Sequence, residues 1–410
     1  MNNAINKVVV IVILLIISEI GSSQKSGSVA LTPPMGWNSW NCFRFDINEE
    51  KIKSIADAMV SSGMKDVGYE YIIIDDGWMT NQRDKEGHIV PDSTKFPNGI
   101  KPVADYIHSL GLKFGIYSAP GCLTCGGFAG SFGYEQVDAN DYASWGVDFL
   151  KYDWCKYPKT IVEAKQTSKK HCREAFELMR DCLAKTGRSI VYSVHDKCTD
   201  MEHEGALPWV KDVAHMHRTS GDIKDNWNRM LWCLETTVDL WKYAGSGYWN
   251  DLDMLEVGNT NIEKIWGEIS PVKMTLKEYQ THFSLWCITA SPLIAGNDLR
   301  NMKPEIIEIL TNQEVIAINQ DKMGKQGRRI RNNEDIEIWM KELSNNRRAV
   351  VLLNKSNKTV DIEVNWSEIG LKGRLEVRDL WQHKNLGKFR KLFVAKNIQS
   401  HEALVILIEK

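Results

Sequence analysis

The chain has 410 residues, of which 43% are hydrophobic and 25% are charged, and this composition excludes a disordered or fibrous protein. Its 51 Lys and Arg residues nearly balance its 53 Asp and Glu residues, so the formal net charge is -2 at pH 7. That balance gives no electrostatic basis for binding nucleic acid or an anionic membrane surface. The length suits one large domain with a smaller one, and we expect a neutral partner.

The N-terminus has the pattern of a secretory signal peptide. Lys7 precedes ten apolar residues, 8–17, a run too short to span a bilayer, and small residues follow at 21–24. We therefore predict a signal peptide at residues 1–23 and an exported protein that is extracellular, periplasmic or lysosomal. A buried N-terminal helix or an uncleaved anchor is the alternative. No other stretch is apolar enough to cross a membrane, so we expect no membrane contact after cleavage.

Strand-like apolar runs alternate with helix-like segments over about residues 30–310. Helices are predicted over 100–111, 139–146 and 159–185, and glycines at 68, 111, 146 and 187 mark helix ends. The predicted strands are 35–37, 70–75, 113–117, 147–152, 189–194, 213–218, 247–250 and about 288–294.

This repeated strand and helix pattern indicates an α/β fold with a parallel sheet. Eight units in roughly 280 residues favour a closed (β/α)8 TIM barrel over a doubly wound sheet. A Gly-rich dinucleotide fingerprint does not follow the first strand, which also disfavours a doubly wound sheet. We place the catalytic barrel at residues 24–325.

The sequence pattern changes near residue 325, where short runs rich in β-branched residues begin. Polar turns separate these runs, a pattern typical of an antiparallel β-sandwich. We therefore predict a C-terminal β-sandwich at residues 326–410, without a cluster of potential catalytic groups. The runs are 336–343, 348–356, 359–366, 374–381 and 402–409.

The nine cysteines leave at least one unpaired within the chain. Cys122 and Cys125 have the spacing of a redox or metal motif, but a second such pair or a pair of spaced histidines does not accompany them. Zinc is therefore disfavoured and a structural disulfide is favoured. We expect neither a metal nor an organic cofactor.

The stretch FLKYDWC at 149–155 combines an apolar strand with two charges. Side chains alternate across a strand, so Phe149, Lys151 and Asp153 share one face. Charges on a buried face need a reason, and a structural ion pair between Lys151 and Asp153 is one explanation. A catalytic carboxylate with a neighbouring cation is the other.

Many further polar and aromatic side chains follow predicted strands, where a barrel carries its catalytic groups. Each aspartate alone is explained as a helix cap or a turn residue, but together they suit glycoside hydrolysis, which needs two carboxyl groups and polar contacts to sugar hydroxyls. These residues are Trp37, Trp40, Asp75, Asp76, Tyr117, Lys151, Asp153, His195, Asp196, Arg218, Asp222, Asp251 and Asp253.

Eight segments in order resemble the α-galactosidases of glycoside hydrolase family 27, over about residues 30–330, with the sandwich following as in that family. One such segment would be suggestive, whereas eight in order are highly specific. They are LTPPMGWNSWNCF (31–43), GYEYIIIDDGWM (68–79), FGIYSAPG (114–121), SWGVDFLKYDWC (144–155), HRTSGDI (217–223), GYWNDLDML (247–255), SPLIAGNDLR (291–300) and EVIAINQDKMGKQG (314–327).

The resemblance implies a secreted retaining glycosidase that releases terminal α-galactosyl groups from oligosaccharides or glycoconjugates. Asp153 would be the nucleophile that forms a glycosyl-enzyme, and Asp222 the acid/base. Asp75 and Asp76 would bind the 4- and 6-hydroxyls, and Cys125 would pair with Cys155. Further galactose-binding positions are Trp40, Tyr117, Lys151 and Arg218.

The chain departs from the family pattern at three places. His195 lies about where the residue that meets the sugar's 2-position is expected, so we count it as substrate-binding, and the 2-substituent stays open. Leu252 replaces the usual proline, which we expect to change loop stiffness. Position 77 is Gly, not the Cys of some animal members, so Cys42 is expected to lack the corresponding bridge.

The resemblance, together with these departures, leaves three candidate functions. An α-galactosidase leads, and an α-N-acetylgalactosaminidase or a β-L-arabinopyranosidase of the same family is the alternative. A non-catalytic sugar-binding relative is disfavoured because Asp153 and Asp222 are both present. The sequence does not decide the oligomeric state, and a homodimer is kept as an option.

Overall fold

The computed structural model describes residues 29–157, 168–195, 207–259 and 273–410. The predicted signal peptide lies outside the described residues, as do Asp196 and Cys198. Among the helices within these ranges, none is both long and apolar enough to cross a membrane.

Eight parallel strands form the sheet of the first domain, and each pairs with its neighbour in chain order. The last strand pairs with the first, and a parallel bridge from Leu255 to Ala295 closes the ring. The predicted (β/α)8 barrel is thus confirmed. The strands are β1 Met35–Asn38, β2 Tyr71–Ile73, β3 Lys113–Ser118, β4 Phe149–Asp153, β5 Val191–His195, β6 Met216–Arg218, β7 Trp249–Asp251 and β8 Leu293–Ala295.

Helices surround this sheet and cover its outer face. α1 shows why they form, because Asn48 caps its first turn and Ile52, Ile55, Ala56 and Met59 give it one buried stripe. The helices are α1 Glu49–Ser61, α2 Lys101–Ser109, α3 Glu135–Trp145, α4 Ser168–Lys185, α5 Leu207–Val213, α6 Trp227–Glu235, α7 Leu276–Ile288, α8 Pro304–Leu310 and α9 Gln313–Asn319.

The predicted start of the eighth strand near residue 288 is wrong. α7 continues to Ile288, and β8 begins only at Leu293. The side chains from Thr281 to Ile288 are all buried, so this part of the helix has no exposed polar face. Without a polar face, an apolar run has no periodicity that separates a helix from a strand.

The second domain contains eight antiparallel strands in two layers, which confirms the β-sandwich. One sheet has the order β9-β10-β11-β16-β13-β14, and β12 pairs with β15. Three of these strands, β9, β14 and β15, were not predicted. The strands are β9 Arg328–Asn332, β10 Ile336–Glu342, β11 Arg348–Asn354, β12 Val360–Asn365, β13 Leu375–Asp379, β14 Lys384–Phe389, β15 Leu392–Ile398 and β16 Ala403–Glu409.

The large sheet of the sandwich has two buried faces. One face, with Ile338 and Val350, packs on β12 and β15. The other face, with Trp339 and Val351, belongs to the same apolar core as the barrel helices, and α7 contacts β11. The sandwich thereby supports the side of the barrel that α7 covers.

Candidate active site

Strand β4 carries the two charged residues of the predicted site into the barrel interior. Phe149 belongs to the apolar cluster inside the barrel, whereas Leu150 and Tyr152 belong to the core outside it. Because side chains alternate, Lys151 and Asp153 follow Phe149 on the inner face. The strand therefore leads from an apolar floor to a carboxylate at its carboxyl end.

Two neighbours contact the two oxygens of the Asp153 carboxylate. The Tyr117 hydroxyl from β3 donates to Oδ2 at 3.2 Å, and His195 Nδ1 on β5 lies 3.2 Å from Oδ1. Burial, together with the charge of Asp153, raises the pKa of the Tyr117 phenol well above its usual value. Tyr117 is therefore a donor, and the carboxylate is fixed from both sides.

The ion pair of Lys151 is formed with Asp75, which follows β2. Lys151 Nζ lies 2.6 Å from Asp75 Oδ2, and the Asn38 side chain donates to the same oxygen at 2.9 Å. Lys151 also lies near enough to Asp153 for their charges to attract. The sequence-based explanation of a simple ion pair between Lys151 and Asp153 is therefore incomplete. Asn38, which binds the same Asp75 oxygen, was not among the residues predicted for the site.

Asp76 presents an oxygen that the described residues leave unsatisfied. Its Oδ2 accepts from the Gly126 N–H at 2.7 Å, whereas its Oδ1 is buried with no hydrogen-bond partner among the residues that the structure describes. Burial raises the pKa of the Asp76 carboxyl to about 6, against the effect of the Gly126 bond. A buried oxygen without a partner is suited to accept a hydrogen bond from a ligand hydroxyl.

Asp222 follows β6 on a loop that Arg218 and Asp253 hold. Arg218 Nη2 lies 2.8 Å from Asp253 Oδ2 and 3.2 Å from Asp222 Oδ1. Asp253 Oδ2 also accepts from the N–H of Ile223, the residue after Asp222. The sequence placed Asp253 near the site without a role, and its contacts make it the residue that orients this loop.

The charges around Asp222 favour its ionised form. Partial burial raises the pKa of this carboxyl, but Arg218, His195 and Lys151 outweigh burial and hold the pKa below its usual range. The side chain is 56% exposed, so it can reach a ligand at the barrel mouth. His195 and Lys151 thus act on both Asp153 and Asp222.

Trp40 stands at the rim, in a single helical turn Trp40–Phe43 that directly follows β1. Its backbone N–H donates to Asn38 Oδ1 at 2.9 Å, which ties it to the residue that binds Asp75. Its ring is partly exposed, with the Arg44 guanidinium 4.8 Å from the ring centre. The structure therefore brings all nine predicted sugar-site residues to one end of the barrel.

A disulfide joins Cys125 and Cys155, the pair that the resemblance implied, and fixes the loop after β3 against the end of β4. Cys125 Sγ lies 3.8 Å from Asp153 Oδ2. At Gly121 the chains approach so closely that a Cβ would lie 1.9 Å from the Cys155 carbonyl oxygen. The two sulfurs and Asp153 cluster tightly, but disulfide sulfurs are not thiolates and are poor zinc ligands.

Two of the three departures from the family pattern have a structural account. The N–H of Leu252 donates to Ser291 Oγ at 3.1 Å, a bond that a proline cannot make. Gly77 faces Phe45, because a Cβ there would lie 2.7 Å from that ring, while Cys42 is a buried free thiol. The side chain opposite position 77 is therefore Phe45, and the expectation that Cys42 lacks the corresponding bridge is confirmed.

The family models match both domains. Residues 32–321 match the model described as Alpha galactosidase A, and residues 333–408 match the Alpha galactosidase C-terminal beta sandwich domain. The chain belongs to the α-galactosidase family. The prediction of a family 27 α-galactosidase is thereby confirmed, and the chain is a glycoside hydrolase of that type.

Individual relatives agree with the family models. Alpha-galactosidase 2 of Arabidopsis thaliana is 43% identical over 89% of this chain and 87% of its own length. Alpha-galactosidase A of Cellvibrio japonicus is 42% identical over 96% of this chain and 93% of its own.

Solved structures of the family superpose on the whole fold. α-Galactosidase I from Mortierella vinacea has a TM-score of 0.85 and 37% identity, covering 93% of this chain and 98% of that one. The Saccharomyces cerevisiae α-galactosidase with raffinose has a TM-score of 0.80 and 28% identity, again covering 93% and 98%.

Proposed function

We propose that the protein is an exported retaining α-galactosidase, which removes terminal non-reducing α-D-galactosyl groups from oligosaccharides or glycoconjugates. The observation that carries this proposal is the arrangement of Asp153 and Asp222, two carboxylates that lie at the ends of different strands and have His195 and Lys151 as shared neighbours. One carboxylate is buried between the Tyr117 hydroxyl and the His195 ring, while the other is half-exposed on a loop. That asymmetry suits a nucleophile and an acid/base.

In the first step, an Asp153 oxygen bonds to the anomeric carbon as the bond to the leaving oxygen breaks, and Asp222 gives its proton to that oxygen. In the second step, the Asp222 carboxylate takes a proton from water while the water oxygen bonds to the same carbon and releases Asp153. Two inversions leave the α configuration unchanged. Lys151 and Tyr117 stabilise the departing Asp153 carboxylate.

The remaining polar groups would hold the galactosyl ring. Oδ1 of Asp76 and the Asp75 carboxylate can accept hydrogen bonds from the 4- and 6-hydroxyls of the sugar. Lys151 can donate a hydrogen bond to a neighbouring hydroxyl. Trp40 would cover an apolar face of the sugar, and Arg218 would bind a hydroxyl on the side of Asp222.

The test of the two roles uses D153G and D222G with an aryl α-galactoside and added azide. Both variants should lose at least about 1000-fold in kcat/KM for substrates with poor leaving groups. Azide should restore turnover in D153G by giving β-galactosyl azide, and in D222G by giving α-galactosyl azide. Full activity of D153G, or the opposite configuration of the azides, would refute the assignment.

The pH profile of kcat/KM of the wild-type enzyme should fall toward high pH. Because cations hold the pKa of Asp222 below its usual range, its protonated form is most abundant at acid pH, and kcat/KM should decrease as the pH rises. A dinitrophenyl galactoside needs no proton on its leaving group, so D222A should hydrolyse it without that decrease. If kcat/KM of D222A decreased with pH in the same way, the decrease would be caused by another titrating group.

The position of His195 is a reason to test a second substrate specificity. This imidazole contacts Asp153, beside the carbon that bears the 2-substituent. A panel of aryl α-galactoside, 2-acetamido-galactoside and β-L-arabinopyranoside compares kcat/KM directly. We expect the α-galactoside to be preferred, and a preference of more than 100-fold for another member would replace the proposal.

We also propose export through removal of residues 1–23, with a barrel domain at 24–325 and a sandwich at 326–410. The Cys125 to Cys155 disulfide supports an oxidising compartment. N-terminal sequencing of the protein recovered outside the cytosol tests the cleavage site. A mature chain that begins at Met1 would contradict it.

A further inference from the structure

Arg44 stands at the rim of the site, and within the described part of the chain its guanidinium takes part in no hydrogen bond. It ends the helical turn Trp40–Phe43, where its N–H bonds to the Trp40 carbonyl, and it is half-buried. Its guanidinium lies 4.8 Å from the Trp40 ring centre but makes no hydrogen bond or ion pair with any residue that the structure describes. Arg83, by contrast, binds the Asp138 carboxylate and the carbonyls of Gly87 and Gly130.

The backbone of Arg44 is strained, which is uncommon for a residue with a Cβ. Its φ is 52° and its ψ is -124°, a conformation that favours glycine. Such conformations are energetically unfavourable and are concentrated at functional sites. The strain holds a long cationic side chain over Trp40 instead of letting it extend into solvent.

Several carboxylates of the site act on the charge of Arg44, and Asp222 is one of them. Partial burial lowers the pKa of the Arg44 guanidinium, and the carboxylates of Glu256, Asp222, Asp75 and Asp253 oppose that shift, so it stays charged. In the proposed mechanism, Asp222 contacts the glycosidic oxygen. A cation that lies over Trp40 at the rim, within electrostatic reach of Asp222, is therefore at the open end of the site, where the group that departs with that oxygen must leave.

We propose that Arg44 is a specificity-determining residue that donates hydrogen bonds to hydroxyls of a leaving-group sugar. The inference rests on the proposed function, since it assigns the sugar beyond the bond that is cleaved. Trp40 pre-orients the guanidinium by stacking, so the planar fork of donors is held for adjacent hydroxyls. A leaving group without hydroxyls would leave these donors unused.

The experiment compares raffinose with methyl α-D-galactoside, which differ in the leaving group but share the galactosyl group. R44G removes the side chain and suits the strained backbone, and R44K keeps the charge without the fork. We expect kcat/KM of R44G to fall about 10- to 100-fold for raffinose, the effect of losing hydrogen bonds to a charged group, and less than about threefold for methyl galactoside. R44K should recover only part of the loss.

R328A is the matched control, because the Arg328 guanidinium also lies over an exposed tryptophan, 5.6 Å from the ring centre of Trp241, but where the first sandwich strand meets the segment between α6 and β7. It should change neither rate. An equal loss of R44G on both substrates, or no loss on either, would overturn the inference while leaving the hydrolase assignment intact. A wild-type protein that cleaves neither substrate would instead refute the proposed function, and the inference with it.

Discussion

At the scale of single residues, the candidate nucleophile owes its position to its neighbours. Tyr117 and His195 approach one oxygen each of the Asp153 carboxylate, from strands on either side. A buried carboxylate with a neighbour against each oxygen has little freedom to rotate, so its attack on a bound sugar costs little further ordering. The arrangement makes the flanking strands as necessary to the chemistry as Asp153 itself.

Asp76 should make substrate binding depend on pH. Burial raises the pKa of its carboxyl to about 6, so it loses its charge as the pH falls through that value. A carboxylate accepts a sugar hydroxyl better than a neutral acid, so KM should rise several-fold between pH 7 and pH 5. KM of D76N should be high at both pH values, and an equal rise in D76N would show that another group titrates.

At the scale of elements, alternation along β4 was predictable, because Phe149, Lys151 and Asp153 are spaced by two and the inner face follows from that count. The end of α7 was not, since residues 281–288 are buried on every side and no exposed polar face marks the helix. Strand β14 was missed for the opposite reason. Its residues Lys384–Phe389 are mostly exposed and carry lysines and a glycine, so they lack the apolar alternation of a strand.

The same distinction applies within the site. Aspartates after strands could be found from the sequence, and the resemblance supplied their roles. The partners could not be found, because the bond between Asp253 and Arg218 and the position of the Arg44 guanidinium over Trp40 depend on how loops return to the barrel mouth.

Helix α7 should lose stability when its first turn is altered. The Thr275 hydroxyl accepts from the Glu278 N–H, and the Glu278 carboxylate accepts from the Thr275 N–H, forming a capping box. T275A should lower the free energy of unfolding by about 1 kcal/mol, measured by urea denaturation, with kcat within about twofold of wild type.

S61A is the control for this change. The Ser61 hydroxyl also bonds to a helix carbonyl, that of Ala58, but it is exposed and caps no N-terminus. Its effect should stay within about 0.5 kcal/mol. Equal effects of T275A and S61A would mean that the cap does not stabilise α7.

At the scale of the whole molecule, the two domains share one apolar core and should unfold together. Trp339 and Val351 of the sandwich lie in the same cluster as the barrel helices. His401 of the sandwich also contacts the capping residue Glu278 at 2.6 Å and stacks on Trp227. Removing the sandwich would expose this core, so the barrel is not expected to be stable alone.

Lys341 is a costly residue at this interface. Its ammonium is buried and donates to the Asn319 carbonyl of α9 at 3.3 Å. Burial lowers its pKa from 10.5 to about 8, so the unfolded chain binds the proton more tightly, and stability should rise as the pH increases from 8 to 10.5. K341M should be more stable than wild type by about 1–2 kcal/mol at pH 7, with a smaller gain at pH 9.5.

Urea denaturation at the two pH values measures both effects. K396M, which removes an exposed lysine paired with Asp361, serves as the control and should give a pH-independent change within about 0.5 kcal/mol. A K341M variant that is less stable than wild type at pH 7 would show that the carbonyl bond outweighs the cost of burying the charge.

The spacing of residues along β4 also limits how this enzyme can change during evolution. Inserting or deleting a single codon between Phe149 and Asp153 would rotate the carboxylate from the barrel interior into the helix layer, because neighbouring positions on a strand face opposite ways. Loops of the same domain can vary in length without that penalty. Length variation among descendants should therefore accumulate in the loops and be absent from this strand.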